Sequence, residues 1–263
     1  MDELITFDIL GEFAHFRAFD TTRENISYPF PPRTAVIGLI AGIMGLPRNE
    51  YWENHPLSSA KIAIQILNPI WRTKIKVNYL QTKYPMSLAS GIKIILAKDP
   101  YEVKSKDQRG FSAPVNLNML RNVAYRIFFT SEDEKLMEKL YNRLKEHKYC
   151  YPPYLGHANL LAEIKLKGKY AYKPLDEGIY DLDTIVPVQA VNEKIMKIED
   201  LGYSILFNIP VSLSYKNDRI VLKKAEHVIF NVKNKKLKVS CNAKQVFKLK
   251  MDEKEVFVSF IGQ

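Results

Sequence analysis

The order of hydrophobic periodicities constrains this chain most. Leu4–Phe13 alternates with period two, placing Ile5, Phe7 and Ile9 on one face and Thr6 and Asp8 on the other, the pattern of a half-buried strand. After the loop HFRAFDTTRENISYPFPP, Pro31 and Pro32 set up a helix start, and TAVIGLIAGIMGL reads as the helix, with Gly45 as C-cap and Pro47 beyond it. Gly38 and Gly42 share a face of that helix, and the reading assigns them to close packing on a sheet. A short helix is expected over Asn49–His55, and Lys61–Leu67 alternates as a strand until Asn68-Pro69 ends it. Val123–Thr130 is a further strand. Ser131 and Glu134 form a capping-box pattern that opens a helix striped with Leu136, Met137, Leu140, Tyr141 and Leu144. Leu160, Ala162, Ile164 and Leu166 line one side of the next strand.

Strand, helix, strand, strand, helix, strand is the ferredoxin-like order, shared with RNA-recognition motifs. The expected fold class is α+β. A ferredoxin-like domain over residues 1–168 is interrupted by an arm over 69–121, and a β-rich subdomain follows over 169–263, with strands at Ile185–Val191, Ser204–Leu213, Glu226–Val232 and Val256–Ile261. An insertion of that length is usually functional or an extra structural arm.

Charge supplies the first functional pointer. The chain carries +10, and the excess sits in two blocks: residues 69–121 hold 10 basic and 3 acidic groups, and residues 216–250 hold 11 and 2. Such blocks suit a polyanion, although a lysine-rich solvated surface has the same composition. Within the arm, Arg72, Lys74 and Lys76 share one strand face, opposite Trp71, Thr73, Ile75 and Val77. That face either tracks phosphates or protects an edge strand.

Several function classes find no support. Cys150 and Cys241 are far apart, which argues for a reducing, cytoplasmic setting with no disulfide framework. The longest apolar stretch, Ala35–Leu46, is too short to span a bilayer, and the acidic, strand-like start is unlike a signal peptide. No phosphate-binding glycine loop, HExxH or GxSxG occurs, and the five histidines lack metal-ligand spacing, so no cofactor or metal is expected. The aromatic signature by which RNA-recognition motifs stack bases is also missing.

Two loops mix basic, aromatic and small residues. The first holds His15, Arg17, Arg23, Tyr28 and Arg33. Arg33 at a helix N-terminus suits a phosphate, or alternatively pairs with an acid such as Glu12, Asp20 or Glu24. The second is Tyr151-Pro-Pro-Tyr154-Leu-Gly156-His157, where Gly156 would permit close backbone approach with Tyr154 and His157 beside a ligand. A plain structural turn explains the same residues.

The segment FDILGEFAHFRAFDTTRENISYPFPPRTAVIGLIAGIMGL, together with LRNVAYRIFF and YPPYLGHANLLAEI, resembles CRISPR-associated protein family five, the Cas-five proteins, and most closely their type I-B branch. The likeness covers the first ~170 residues in order. It implies a RAMP-superfamily subunit of a Cascade-type surveillance complex. Such a subunit grips the 5′ handle of the CRISPR RNA, touches the Cas-seven backbone and Cas-eight large subunits, and acts near target DNA within the complex. The inserted arm would be the family's thumb-like extension. Carried over, the loop with His15, Arg17 and Arg33 matches best, and Gly156-His157 next. Two other readings stay open. The corresponding type I-C protein cuts precursor RNA without metal, for which His15, His157, Tyr154 and Lys74 are the available acid–base groups. A general RNA-binding protein outside CRISPR is the third.

Overall fold

The computed structural model describes residues 3–18, 25–48, 50–80, 112–192, 203–216 and 219–262. Arg23, the Asn217-Asp218 turn and most of the polar stretch before Pro114 lie outside the described residues.

Strand β1 spans Glu3–Ala14, followed by the two-residue strands β2 (Phe16–Arg17) and β3 (Ser27–Tyr28), which pair with each other. Helix α1 covers Arg33–Met44, starts after Pro32 and ends on Gly45 in the left-handed region, as its Pro-Pro and Gly-x-Pro flanks dictate. Helix α2 is a single turn, Pro56–Ser59, capped by His55 Nδ1 on the Leu57 amide. It replaces the helix expected over Asn49–His55, because Pro56 supplies a helix start that the preceding residues lack. Strands β4 (Lys61–Ile66), β5 (Trp71–Leu80) and β6 (Ser112–Thr130) follow, then α3 (Glu134–Lys145) and β7 (Glu163–Pro174). The cap of α3 is Asp133, whose carboxylate accepts from the Leu136 amide at 3.0 Å. Ser131 does not cap the helix and instead accepts from the Asp133 amide. The remaining strands are β8 (Gly178–Leu182), β9 (Val186–Pro187), β10 (Tyr203–Lys216), β11 (Arg219–Asn231), β12 (Leu237–Cys241), β13 (Phe247–Met251) and β14 (Lys254–Val258). The strand expected over Ile185–Val191 is two residues long and runs into a 3-10 turn at Val188–Ala190.

The main sheet is antiparallel, in the order β14-β13-β7-β1-β6-β4, with β5 added on the long N-terminal part of β6. Helices α1 and α3 cover one face. Ile5, Phe7 and Ile9 of β1 and Tyr125, Ile127 and Phe129 of β6 point into that core, against Ile37, Ile40 and Ile43 of α1 and Leu136, Leu140 and Leu144 of α3. Each such fully buried side chain contributes about 1.5–3 kcal/mol relative to exposure. The opposite face buries Leu4, Ala63 and Phe128 under Tyr172, Phe247 and Phe260. The sheet curls until the chain after β14 returns to β4, where Ile261 and Ile62 form a bridge, so the β4 edge is covered.

The expected boundary at 168/169 falls inside β7, and β13 pairs with the far end of that strand. The hairpin β10–β11 packs on α1 and contributes Ile209, Val211, Val228 and Phe230 to the main core. Gly38 and Gly42 do not pack on the sheet. They face outward, with open space above Gly42, because the sheet-facing stripe of α1 is the Val36/Ile37/Ile40/Ile43 side.

Candidate nucleic-acid interface

The end of β1 delivers His15 to the interior. The residue is only 2% exposed, its amide donates to the Leu155 carbonyl at 3.0 Å, and its Nδ1 lies 2.9 Å from the Asn118 carbonyl of β6. A carbonyl only accepts, so the proton resides on Nδ1, and Nε2 is the nitrogen left for other contacts. One residue past Leu155, Gly156 adopts φ +91 and presses on the His15 backbone. A Cβ there would overlap the His15 carbonyl oxygen, so only glycine fits. This contact carries His157 beside His15, with ring centroids 5.0 Å apart and planes tilted by 56°. Burial, then the neighbouring His15 and Arg17, hold the His157 pKa below the ordinary imidazole value.

Arg17 stands exposed next to this pair on β2. Its strand is fixed by the Phe16 amide on Ser27 Oγ at 2.9 Å and the Ala18 amide on the Ile26 carbonyl at 2.9 Å. The base of the arm reaches the same place. Lys74 pairs across the ladder with Asn118, the residue that holds His15, and Arg72 and Lys76 flank it at Leu120 and Asn116. All three cations are exposed, while Thr73, Ile75 and Val77 are half-buried, so the strand alternates from Arg72 onward; Trp71, expected on the apolar face, is instead 64% exposed. The fold thus gathers His15, Arg17, Gly156 and His157 from the β1 end, β2 and the loop after α3, and places Lys74 one strand away on β5, opposite Asn118.

Arg33 does not join them. It is 3% exposed and donates to the carbonyls of Val211 (2.8 Å), Ser58 (2.7 Å) and Ala60 (2.6 Å). Burial pulls its pKa down to about 10, opposed by Glu226, which leaves the guanidinium charged at neutral pH. The phosphate role expected at this helix start is therefore corrected: Arg33 clamps α1 and α2 to β10. Of the acids considered for it from the sequence, Asp20 and Glu24 lie outside the described residues and Glu12 makes no ion pair with it; among the described residues the carboxylate acting on it belongs to Glu226.

Tyr154 faces a different feature. With Tyr51, Tyr151 and the outward glycines of α1 it lines an apolar cleft of about 710 Å³. Asn118 and the backbone of Leu155 are site components that sequence reasoning missed, because their role is carried by carbonyl groups. Among the described residues no three His, Cys, Asp or Glu side chains cluster as metal ligands, and no helix is long and apolar enough to cross a membrane.

A sequence profile of the family described as CRISPR-associated protein (Cas_Cas5) matches residues 4–162, from β1 through the loop that carries Gly156 and His157. No curated protein matches the chain. Among solved structures, a chain of a CRISPR RNA-guided surveillance complex aligns with a TM-score of 0.53 at 11% identity, covering 90% of each chain. A CRISPR protein from Archaeoglobus fulgidus aligns with a TM-score of 0.51 at 12% identity, covering 98% of this chain and 99% of the other. Both share the mixed architecture with its curled antiparallel sheet. The profile match spans more than half of the sequence and includes every element that builds the His15–His157 site, and on that match the chain belongs to the Cas5 family of CRISPR-associated proteins.

Proposed function

We propose that this protein is a non-catalytic, RNA-binding subunit of a type I-B Cascade surveillance complex, acting in the cytoplasm in antiviral defence. In this reading it caps the 5′ handle of the CRISPR RNA, contacts the Cas-seven backbone and Cas-eight large subunits, and works beside target DNA. Its N-terminal half is read as ferredoxin-like, supported by the order of the four framework strands β7-β1-β6-β4, all antiparallel, with α1 and α3 on one face.

The observation that carries the reading is the meeting of Arg17, His15 and His157 around a backbone weld, with the cationic strand face of Lys74 one strand away. Exposed cations give phosphate affinity, and a glycine-tight loop next to two imidazoles gives shape and hydrogen-bond readout of an unpaired strand. A ribonuclease is the second reading, favoured by the 5.0 Å approach of two imidazoles, one of which could relay a proton. Against it stand the burial of His15 and the commitment of its Nδ1 to a carbonyl.

The test is the affinity for CRISPR RNA with and without its handle across a salt series, with the RNA recovered on a denaturing gel. The binder reading expects a handle preference that survives rising salt and intact RNA. Equal affinities at every salt concentration reduce the protein to a nonspecific cation, and a discrete product that vanishes in His157→Ala makes it a nuclease.

A further inference from the structure

The two basic blocks that the sequence keeps far apart meet at the base of the arm. The turn between β4 and β5 is held on one side to β6, by the Leu67 amide on the Ala124 carbonyl (2.9 Å) and the Asn68 side chain on the Asn122 carbonyl (3.0 Å). On the other side it is held to the end of β11, by the Ile70 amide on the Val232 carbonyl (3.2 Å) and the Asn234 side-chain amide on the Leu67 carbonyl. One residue beyond the Ile70–Val232 bond stand Trp71 in one chain segment and Lys233 in the other. Trp71 is 64% exposed, and its partner across the ladder is the exposed Arg121. Lys233 and Lys235 are exposed and, among the described residues, have no carboxylate within ion-pair reach, whereas Lys236 is held by Asp183 at 3.0 Å.

A solubility device would use the lysines without displaying the largest apolar side chain. The core of a protein–protein interface would keep the tryptophan and shed the lysines. An aromatic face bordered by free cations is what a single-stranded nucleic acid needs, since any base can stack and the backbone is met by charge. We propose that this junction is a second nucleic-acid contact, separate from the His15–His157 loops, which takes a single strand with a base on the Trp71 indole and phosphates on Arg121, Lys233 and Lys235. RNA and DNA strands share this chemistry. The proposal goes beyond handle capping and does not depend on it.

The test uses the full chain and oligo(U) and oligo(dT) of about twelve nucleotides, within the span of a single-strand site. Trp52, the other tryptophan, is half-buried against Tyr51, so quenching of the exposed Trp71 reads the binding directly. We expect saturable quenching of the wild type by one or both oligonucleotides and, by anisotropy of the labelled oligonucleotide, binding at least fivefold weaker in Trp71→Leu and within about twofold of wild type in Trp71→Phe. Lys233→Glu with Lys235→Glu should weaken binding about tenfold and flatten its salt dependence. Thermal melting checks that the variants fold. The two oligonucleotide arms tell RNA from DNA, and binding in either supports the site. Failure of both to bind, or unchanged affinity in folded Trp71→Leu or in the double lysine variant, overturns the proposal. Loss of handle preference in Arg17→Ala with oligonucleotide quenching intact separates this site from the first.

Discussion

Gly156 sits against the backbone of His15 so closely that no side chain can be placed between them. Two loops far apart in sequence are joined there, and the His15 amide adds a hydrogen bond to Leu155. Gly156→Ala forces a methyl group onto a carbonyl at a φ of +91 that L residues avoid, so one loop must move. We expect a loss of about 2 kcal/mol or more in urea denaturation, together with a loss of handle preference. A variant as stable as wild type would show that the loops are not locked together.

Arg33 gives the opposite profile. Arg33→Ala removes the donor to three carbonyls, two of them in buried contacts, and leaves them unpaired. The expected cost is about 3–5 kcal/mol, read as a lower urea midpoint. Handle affinity of the folded fraction should stay within about twofold of wild type. A stable variant with tenfold weaker RNA binding would restore Arg33 to the interface.

His157 sets a pH dependence. Its folded pKa is depressed below the unfolded value, so its contribution to stability is present above about pH 6.5 and is lost as pH falls through the lowered value. RNA phosphates favour the protonated ring, so binding takes up a proton and affinity rises as pH falls below 6.5. An NMR titration should show the His157 pKa moving up on RNA binding. His157→Gln should remove that part of the pH slope, and an unchanged slope would place the titrating group elsewhere.

The arm tests the role of charge. Arg72, Lys74 and Lys76 are exposed on one face of β5 and, among the described residues, have no ion-pair partner. Changing all three to Glu should alter stability by under about 0.5 kcal/mol per site and reduce the salt dependence of RNA binding. A triple variant that binds RNA and assembles like wild type would make this face a solubility device.

The framework was legible because its signals are local. Alternation in β1 and the stripe of α3 each reflect one face packing on one core, and Pro32 and Gly45 mark the ends of α1 by backbone chemistry alone. What escaped was non-local. The partner of Arg33 lies 178 positions downstream on β10, so its burial cannot be read from its neighbours. Gly38 and Gly42 signal close approach but not whether the approaching surface is the sheet or, as here, open cleft. The short strands β8, β12 and β13 carry too few residues for a period to emerge. His15, Arg17, Gly156 and His157 were individually visible as loop residues of suitable chemistry. Their meeting was not, because carbonyls of Leu155 and Asn118 hold it, and carbonyls leave no trace in side-chain identity.

The measurement that bears most directly on the handle-binding account is the ratio of affinities for handle-bearing and handle-less CRISPR RNA, in wild type and in Arg17→Ala combined with His157→Ala. Both side chains border the weld; Arg17 is exposed and His157 is half-buried against His15, so the double variant should still fold, which thermal melting checks. The account predicts that its ratio collapses toward one while residual affinity for either RNA persists through the arm. A folded double variant that keeps the wild-type ratio would contradict it.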